Sequence, residues 1–417
     1  MPILLEEDFE YALPDMYRIR QKFRNDALTL ETLETTLRVQ LRQDIIRNKL
    51  KPGQKIAVAV GSRGIRNLLF IVRTVIDEMK QAGARPFVVS AMGSHGGGTE
   101  EGQRRVLADY GITTENLQVP ICTSTNVKKI GMTSKGLPVY FDQAALEADL
   151  IVPINRIKLH TDFVGELQSG LCKMLVIGLG NQIGCSALHE APPEDFAGVI
   201  EEAAGIILNQ TKVGFGLAVI ENGYDKTAIV EAIAAENLVK REKELVQVAK
   251  DYMPTLMIPE IDILIMQEIG KNVSGAGYDP NIVGRSSVLE QYTLTVPAVR
   301  RMILLDVTAE SHGNGIGVGL FDIITREVHN KLNLEQMYAN AIACKCIEDV
   351  KIPLIAATEE EAIRVAVKVT REISPDSIKI VRIKNTLELE YIEVSAALLP
   401  EIANNENLRI AEGCEKR

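Results

Sequence analysis

The sequence predicts an α/β protein of two domains, an N-terminal Rossmann-like parallel sheet and a smaller C-terminal α/β domain, with the active site in the cleft between them. Three observations carry this. Short apolar runs bounded by turn residues alternate with stretches patterned at helical spacing, which is the mark of βαβ units. Glycine-rich segments follow several of those runs, where open α/β sheets bind ligands. At 417 residues the chain is too long for one ordinary core. The expected division is 1–255, 256–398 and an acidic tail 399–417, with Pro254 and Pro259 marking the main boundary.

Hydrophobic residues make up 46% and charged residues 24% of the chain, as in soluble globular proteins, and no apolar run approaches bilayer length. The start, MPILLEEDFEYALPD, has no basic segment followed by an apolar core, so a secretory signal is not expected and the cytoplasm is the expected location. A net charge of −10, with no Lys/Arg block interleaved with aromatics, argues against nucleic acid as a partner. Cys122, Cys172, Cys185, Cys344, Cys346 and Cys414 make no paired C-x-x-C knuckles and read as reduced thiols.

In chain order, residues 1–15 read as an extended arm, and Leu30, Leu33, Leu37, Leu41, Ile45 and Ile46 predict an amphipathic helix over Leu28 to Lys49. Lys55 to Val60 is a strand ending at Gly61, and Ile65 to Met79 is a helix ended by Gly83. The turn between them, Gly61-Ser62-Arg63-Gly64, sets Arg63 at a helix N-terminus, where anions are favoured. Arg63 is a candidate clamp for a carboxylate or phosphate; the alternative is an exposed arginine beside a capping serine. A second strand, Pro86 to Ala91, leads into a loop of Gly93, His95 and Gly96 to Gly98. An imidazole on such a loop can meet a ligand without steric competition, whereas a core histidine has apolar neighbours. The GxGxxG fingerprint is missing from both turns, which weakens a dinucleotide reading. Residues 114–148 read as a shorter αβ excursion with a helix over Asp142 to Ala148.

Leu150 to Ile154 is a buried strand whose carboxyl end presents Asn155 to His160. Lys173 follows the small-residue turn Ser169-Gly170 and precedes an apolar segment. Partly removed from water, such a lysine is easier to deprotonate and can serve as a nucleophile or attachment point; a snorkelling lysine is the plainer reading. His189 comes after Gly178, Gly180 and Gly184, whose missing side chains let backbone approach a bulky ligand. Its plainer reading is a helix cap.

A helix to about Asn209, a strand Val213 to Ile220 and a charged helix Glu231 to Asp251 close the first half. The second begins with a strand Ile261 to Gln267 and a glycine-rich loop holding Lys271, with Arg285 beyond it. A strand Met302 to Asp306 precedes Glu310 and His312, candidates for a proton relay or for local hydrogen bonds. Helices over Leu334 to Cys346 and Glu359 to Arg371 and strands Pro353 to Ala356, Ile378 to Ile383 and Glu388 to Val394 complete the C-terminal domain.

Arg63, His95, His160, Lys173 and His189, in that order, resemble the lactate racemase family, over most of the chain and most strongly from Lys55 to His189. The resemblance implies a nickel pincer nucleotide (pyridinium-3-thioamide-5-thiocarboxylic acid mononucleotide with Ni), tethered through Lys173 and ligated at nickel by His189, with Gly178 and Gly180 beside it. It implies that His95 and His160 exchange protons with a 2-hydroxy acid, that Arg63 binds its carboxylate, and that transient hydride transfer racemises or epimerises the carbon. It also implies cofactor-biosynthesis proteins that load the chain. The family's aspartate is not found in Val60-Gly61-Ser62, and its Gln-x-x-Lys pair is not reproduced, so Lys271 and Arg285 are stand-ins for substrate contacts. Arg156 and Lys158 are candidates for a second carboxylate or a polyhydroxy chain.

Three other readings stay open at this point. A metal-dependent hydrolase would use His95, His160 and His189 as a zinc triad. A non-catalytic sugar-acid or anion-binding protein would close around its ligand. Lys173 would form a Schiff base in a third.

Overall fold

The computed structural model describes residues 3–62, 64–370, 374 and 377–411. The chain divides into two compact units, one of Met1–Phe23 with Pro254–Arg417 and one of Arg24–Met253. The first strand, β1 (Met16–Gln21), belongs to the discontinuous unit. This differs from the contiguous division expected at 1–255, 256–398 and 399–417.

The Arg24–Met253 unit is built on β2 (Lys55–Val60), β3 (Arg85–Ser90) and β4 (Ile121–Cys122), a separate hairpin of β5 (Val127–Met132) and β6 (Pro138–Asp142), then β7 (Leu150–Arg156), β8 (Phe215–Glu221) and β9 (Thr227–Ala234). The six-stranded sheet runs β4-β3-β2-β7-β8-β9. All its pairings are parallel except β8 with β9. Ile56 to Val60 are fully buried because helices cover both faces of a parallel sheet, which is why β2 is apolar without alternation. The helix Leu68–Gln81 buries Leu68, Ile71, Val72, Val75, Ile76 and Met79 on this sheet, and Gly83, at φ +79, follows it in the conformation that suits glycine. Winding reverses between β2 and β7, and such sheets bind ligands outside the carboxyl ends at that point.

Two expected elements are replaced here. The charged helix Glu231 to Asp251 is instead the end of β9 followed by a helix Leu238–Tyr252. Val230, Ala232 and Ala234 enter the core at a period of two, which belongs to a strand. The excursion 114–148 contains the β5–β6 hairpin, and its helix is the single turn Gln143–Leu146, capped by Asp142 through the Ala145 amide.

The other unit carries an eight-stranded sheet of β1, β10 (Glu260–Met266), β11 (Ala298–Leu304), β12 (Ile323–Thr325), β13 (Leu354–Ala356), β14 (Ile380–Ile383), β15 (Tyr391–Ser395) and β16 (Leu408–Ile410). Its order is β13-β12-β11-β10-β14-β15-β1-β16. Ile263, Ile265, Ile303, Ile323 and Ile380 pack with Ala362, Ile363 and Ala366 of the helix Glu359–Val369. Within the expected arm, Leu4 is buried and Glu6–Phe9 form a short 3-10 helix, and the described part of the expected tail is structured as well. β1 lies between β15 and β16, antiparallel to each, because Ile19 and Leu408 are apolar side chains that reach the interior. The tail segment also forms the helix Leu399–Ala403.

Among the described residues no single helix is long and apolar enough to cross a membrane. The bent pair Leu171–Gly178 and Asn181–Leu188, with 106° between its halves, comes nearest. Leu171, Leu175, Val176, Leu179 and Leu188 in and between those segments are core residues.

Candidate active site

The loops leaving β2, β3 and β7 converge on the helix Leu171–Lys173 and the π-helical turn Met174–Gly178 that continues it. A π turn is a local departure often found at functional sites. Glycines permit the convergence. A Cβ on Gly61 would lie 3.0 Å from Met174 Cε, and one on Gly178 would lie 2.7 Å from the Ala91 carbonyl oxygen. Gly93, at φ +59, donates its N–H to the Gly178 carbonyl at 3.1 Å. Gly180 likewise faces the Val176 carbonyl, 2.6 Å from where its Cβ would be. At Gly178 the Ala91 main chain, and at Gly180 the Val176 carbonyl of its own turn, come close to where a Cβ would be, so both positions hold tight backbone packing.

His160 and Lys173 come together. The Lys173 amine Nζ is hydrogen-bonded to Nε2 of His160, and the Asp162 N–H donates to Nδ1 of the same ring at 3.0 Å. The His160 N–H donates to Gln168 Oε1 at 2.7 Å, which closes the intervening loop. The ring stacks on Phe163 with centroids 4.2 Å apart, and Lys173 Nζ lies 5.6 Å from the Phe163 centroid. Phe163 meets Phe196 edge-on at 5.0 Å, and Phe196 in turn lies 4.9 Å from His189. Two phenyl rings therefore bridge the two histidines, an apolar floor that the sequence reading did not single out.

His189 follows the helix Asn181–Leu188 as its C-cap. Its Nδ1 lies 2.7 Å from the Cys185 carbonyl oxygen. A carbonyl only accepts, so Nδ1 carries the proton and the lone pair of the neutral ring sits on Nε2, the form in which histidine binds metals. Burial favours the neutral ring, but the Cys185 thiol 3.5 Å from Nδ1 outweighs it and raises the imidazole's affinity for a proton.

His95 sits on the loop after β3, with Nδ1 2.5 Å from the Ser62 hydroxyl at the end of β2. Tyr110 fixes that corner by donating to the Ser62 carbonyl at 3.1 Å. The adjacent Ser94 hydroxyl is 3.9 Å from Cys185 Sγ, which connects the His95 loop to the His189 helix. Arg63 lies outside the described residues. Arg156 is ion-paired with Glu221, and the backbone of Lys158 bridges to Ser169.

Glu242 stands behind Lys173 and was not foreseen. Its Oε2 accepts the Cys172 N–H at 2.9 Å, at the amino end of the lysine's helix. Its residue is fully buried, and a Cβ on Gly170 would fall 2.3 Å from Oε1. Burial pushes its carboxyl up to about 7 against the opposing pull of the Cys172 and Leu171 amides. A signal existed in the sequence: Glu242 occupies the apolar stripe of Leu238, Leu245, Val246 and Ala249.

The remaining candidates lie in the discontinuous unit. The Arg285 guanidinium, expected as a stand-in for a substrate contact, bonds Asp322 Oδ2 at 2.6 Å and the Leu320 carbonyl at 3.0 Å. Lys271 Nζ donates to the Gly275 carbonyl of its own loop at 2.7 Å. Glu310 lines a cavity of about 640 Å³ with Glu268, Asp306, Lys331 and Lys384, while His312 ends a turn at φ 48.

Among the described residues no group of three or more His, Cys, Asp or Glu side chains is arranged to hold a metal ion. His95, His160 and His189 therefore do not form the triad that a zinc hydrolase reading requires.

Residues 8–196 match the family described as the lactate racemase N-terminal domain. No curated protein matches the sequence. Among solved structures, the lactate racemase apoprotein from Thermoanaerobacterium thermosaccharolyticum superposes with a TM-score of 0.57 at 16% identity, over 93% of this chain and 96% of that one.

Proposed function

We propose that this chain, whose residues 8–196 match the lactate racemase N-terminal domain, is a member of the lactate racemase family and an isomerase that racemises or epimerises a 2-hydroxy acid. The observation that carries the proposal is the convergence of an amine, two differently wired imidazoles and a third on a glycine loop within one unit.

The residues fit the nickel pincer nucleotide on two counts. Lys173 offers an amine held against His160. His189, with Nδ1 committed to the Cys185 carbonyl, offers Nε2 as a single imidazole ligand. A group that brings its own donors to nickel would need only one from the protein. When bound, it supplies a reversible acceptor for the hydrogen on the substrate carbon.

The protein's part is proton exchange and placement. His95, steadied at Nδ1 by Ser62, can take and return the substrate hydroxyl proton through Nε2. His160 is the second candidate, and Lys173 and the Asp162 amide occupy both its nitrogens in this state. Accepting a proton at Nε2 requires the Asp162 N–H to leave Nδ1, so His160 changes hydrogen-bond partners before it acts as a base. Phe163 and Phe196, both buried, set an apolar wall beside His160 and His189, and low polarity strengthens a polar contact made against it.

The test is protein made in cells that synthesise the cofactor. Expected are added mass on Lys173, bound nickel, and loss of optical rotation from one enantiomer in a panel of 2-hydroxy acids. A loaded chain that binds these acids yet leaves every rotation unchanged overturns the proposal.

A further inference from the structure

We propose that in the chain without cofactor His160 holds Lys173 as a neutral amine, so that the site captures electrophilic acyl carbon before it does any work on a hydroxy acid. The argument begins with the Asp162 N–H, which donates to Nδ1 of His160 at 3.0 Å. A nitrogen that accepts a hydrogen bond carries no proton, so the ring's single proton resides on Nε2. Lys173 Nζ is the partner of Nε2. An ammonium has three donors and no acceptor, and it cannot receive the Nε2 proton. The contact is satisfied only when Lys173 is an amine whose lone pair accepts from His160.

The surroundings favour that form. The Phe163 ring, 5.6 Å from Nζ and stacked on His160, gives the amine an apolar neighbour on one side. Among the described acidic groups on the packed helices, Glu242 sits at the amino end of the short helix that carries Lys173, bonded to the Cys172 amide, and Glu201 is ion-paired with Lys243. The buried Glu242 carboxyl is held toward the neutral form, which limits the stabilisation it offers an ammonium.

His160 and His189 thus have opposite assignments. The Cys185 carbonyl fixes the proton of His189 on Nδ1 and leaves Nε2 for a metal, while the Asp162 amide fixes that of His160 on Nε2 and turns it toward the lysine. Here His160 is a positioning residue that acts through Lys173, and Lys173 makes the bond. The inference rests on the racemase reading only for what the amine captures in the cell.

The experiment uses the full chain without cofactor and sulfosuccinimidyl acetate as the acyl probe. On reaction the Nζ–acyl bond forms, the acyl C–O bond breaks to release N-hydroxysulfosuccinimide, and the amine proton passes to water. An ordinary lysine is neutral to only about one part in a thousand at pH 7, so Lys173 is expected to label about tenfold or more faster than Lys212 in peptide mass maps. Reactivity of Lys173 is also expected to rise at lower pH than that of Lys212. His160→Phe is expected to remove the advantage, and His160→Gln, whose amide can still donate, to retain part of it. Labelling of Lys173 no faster than Lys212 in the unaltered chain overturns the inference without any variant. So does an undiminished rate in folded His160→Phe. Either failure leaves the racemase test above unaffected, since that test reads optical rotation of the loaded protein.

Discussion

Lys173 and His160 face each other through Nζ and Nε2, while the Asp162 amide occupies the other nitrogen of the ring. Attachment and proton exchange therefore draw on the same pair of side chains. Lys173→Ala is expected to yield protein without the covalent adduct when made in loading-competent cells. Intact mass is the readout, and an adduct that survives the substitution removes Lys173 from that role.

Ser62 is expected to matter through His95. Ser62→Ala leaves Nδ1 without its hydroxyl partner, a loss of about 1 kcal/mol that corresponds to roughly fivefold in turnover. His95→Ala is expected to lower turnover by about 10²-fold or more with nickel still bound. Steady-state rates beside metal content separate the two effects, and full activity in His95→Ala would rule this ring out as a base.

Burial raises the Asp142 carboxyl to about 6, against bonds from the Ala145 amide and Asn181 that favour the charged form. The folded chain then keeps a proton that the unfolded chain releases near pH 4. Stability from this group is complete below the ordinary carboxylate range and is lost as pH rises through about 6. Asp142→Asn cannot ionise, so its stability relative to the unaltered chain is expected to improve steadily over that window. Urea midpoints measured across it are the check, and a constant difference would contradict the raised carboxyl.

Gly178→Ala puts a methyl group 2.7 Å from the Ala91 carbonyl. Overpacking backbone at such a contact is expected to destabilise the unit by about 1–3 kcal/mol. Denaturant unfolding would register it, and an unchanged midpoint would mean that the two segments separate freely.

Arg285→Ala removes bonds to Asp322 and the Leu320 carbonyl from a partly exposed pair. The expected loss is about 1–2 kcal/mol of stability with KM for the hydroxy acid unchanged. A raised KM at unchanged stability would return Arg285 to the substrate.

The parallel strands were legible because they are apolar runs ending in glycine or polar turns: β2, β3, β7, β8 and β10 all lie where the pattern puts them. β9 was hidden by Glu231 and Glu236 in a window also compatible with a charged helix, and only its period-two burial separates it from one. The swap of β1 into the sheet with β15 and β16 depends on pairing far apart in sequence, which no local pattern encodes. At the site, histidine and lysine positions were readable from their glycine and small-residue settings. Their hydrogen-bond partners were not, since the Asp162 amide and the Cys185 carbonyl are backbone groups whose direction is set by the fold.

The strand Met16–Gln21 emerges from the ribosome long before Tyr391–Ser395 and Leu408–Ile410, between which it finally lies. The segment from Arg24 to Met253 is an inserted compact unit and can condense during translation, leaving Met16–Gln21 waiting for the two strands that flank it. Deleting Met16–Gln21 should thus harm the late-folding unit rather than the inserted one, and proteolysis of nascent chains would find that strand vulnerable until Tyr391–Ser395 and Leu408–Ile410 are made.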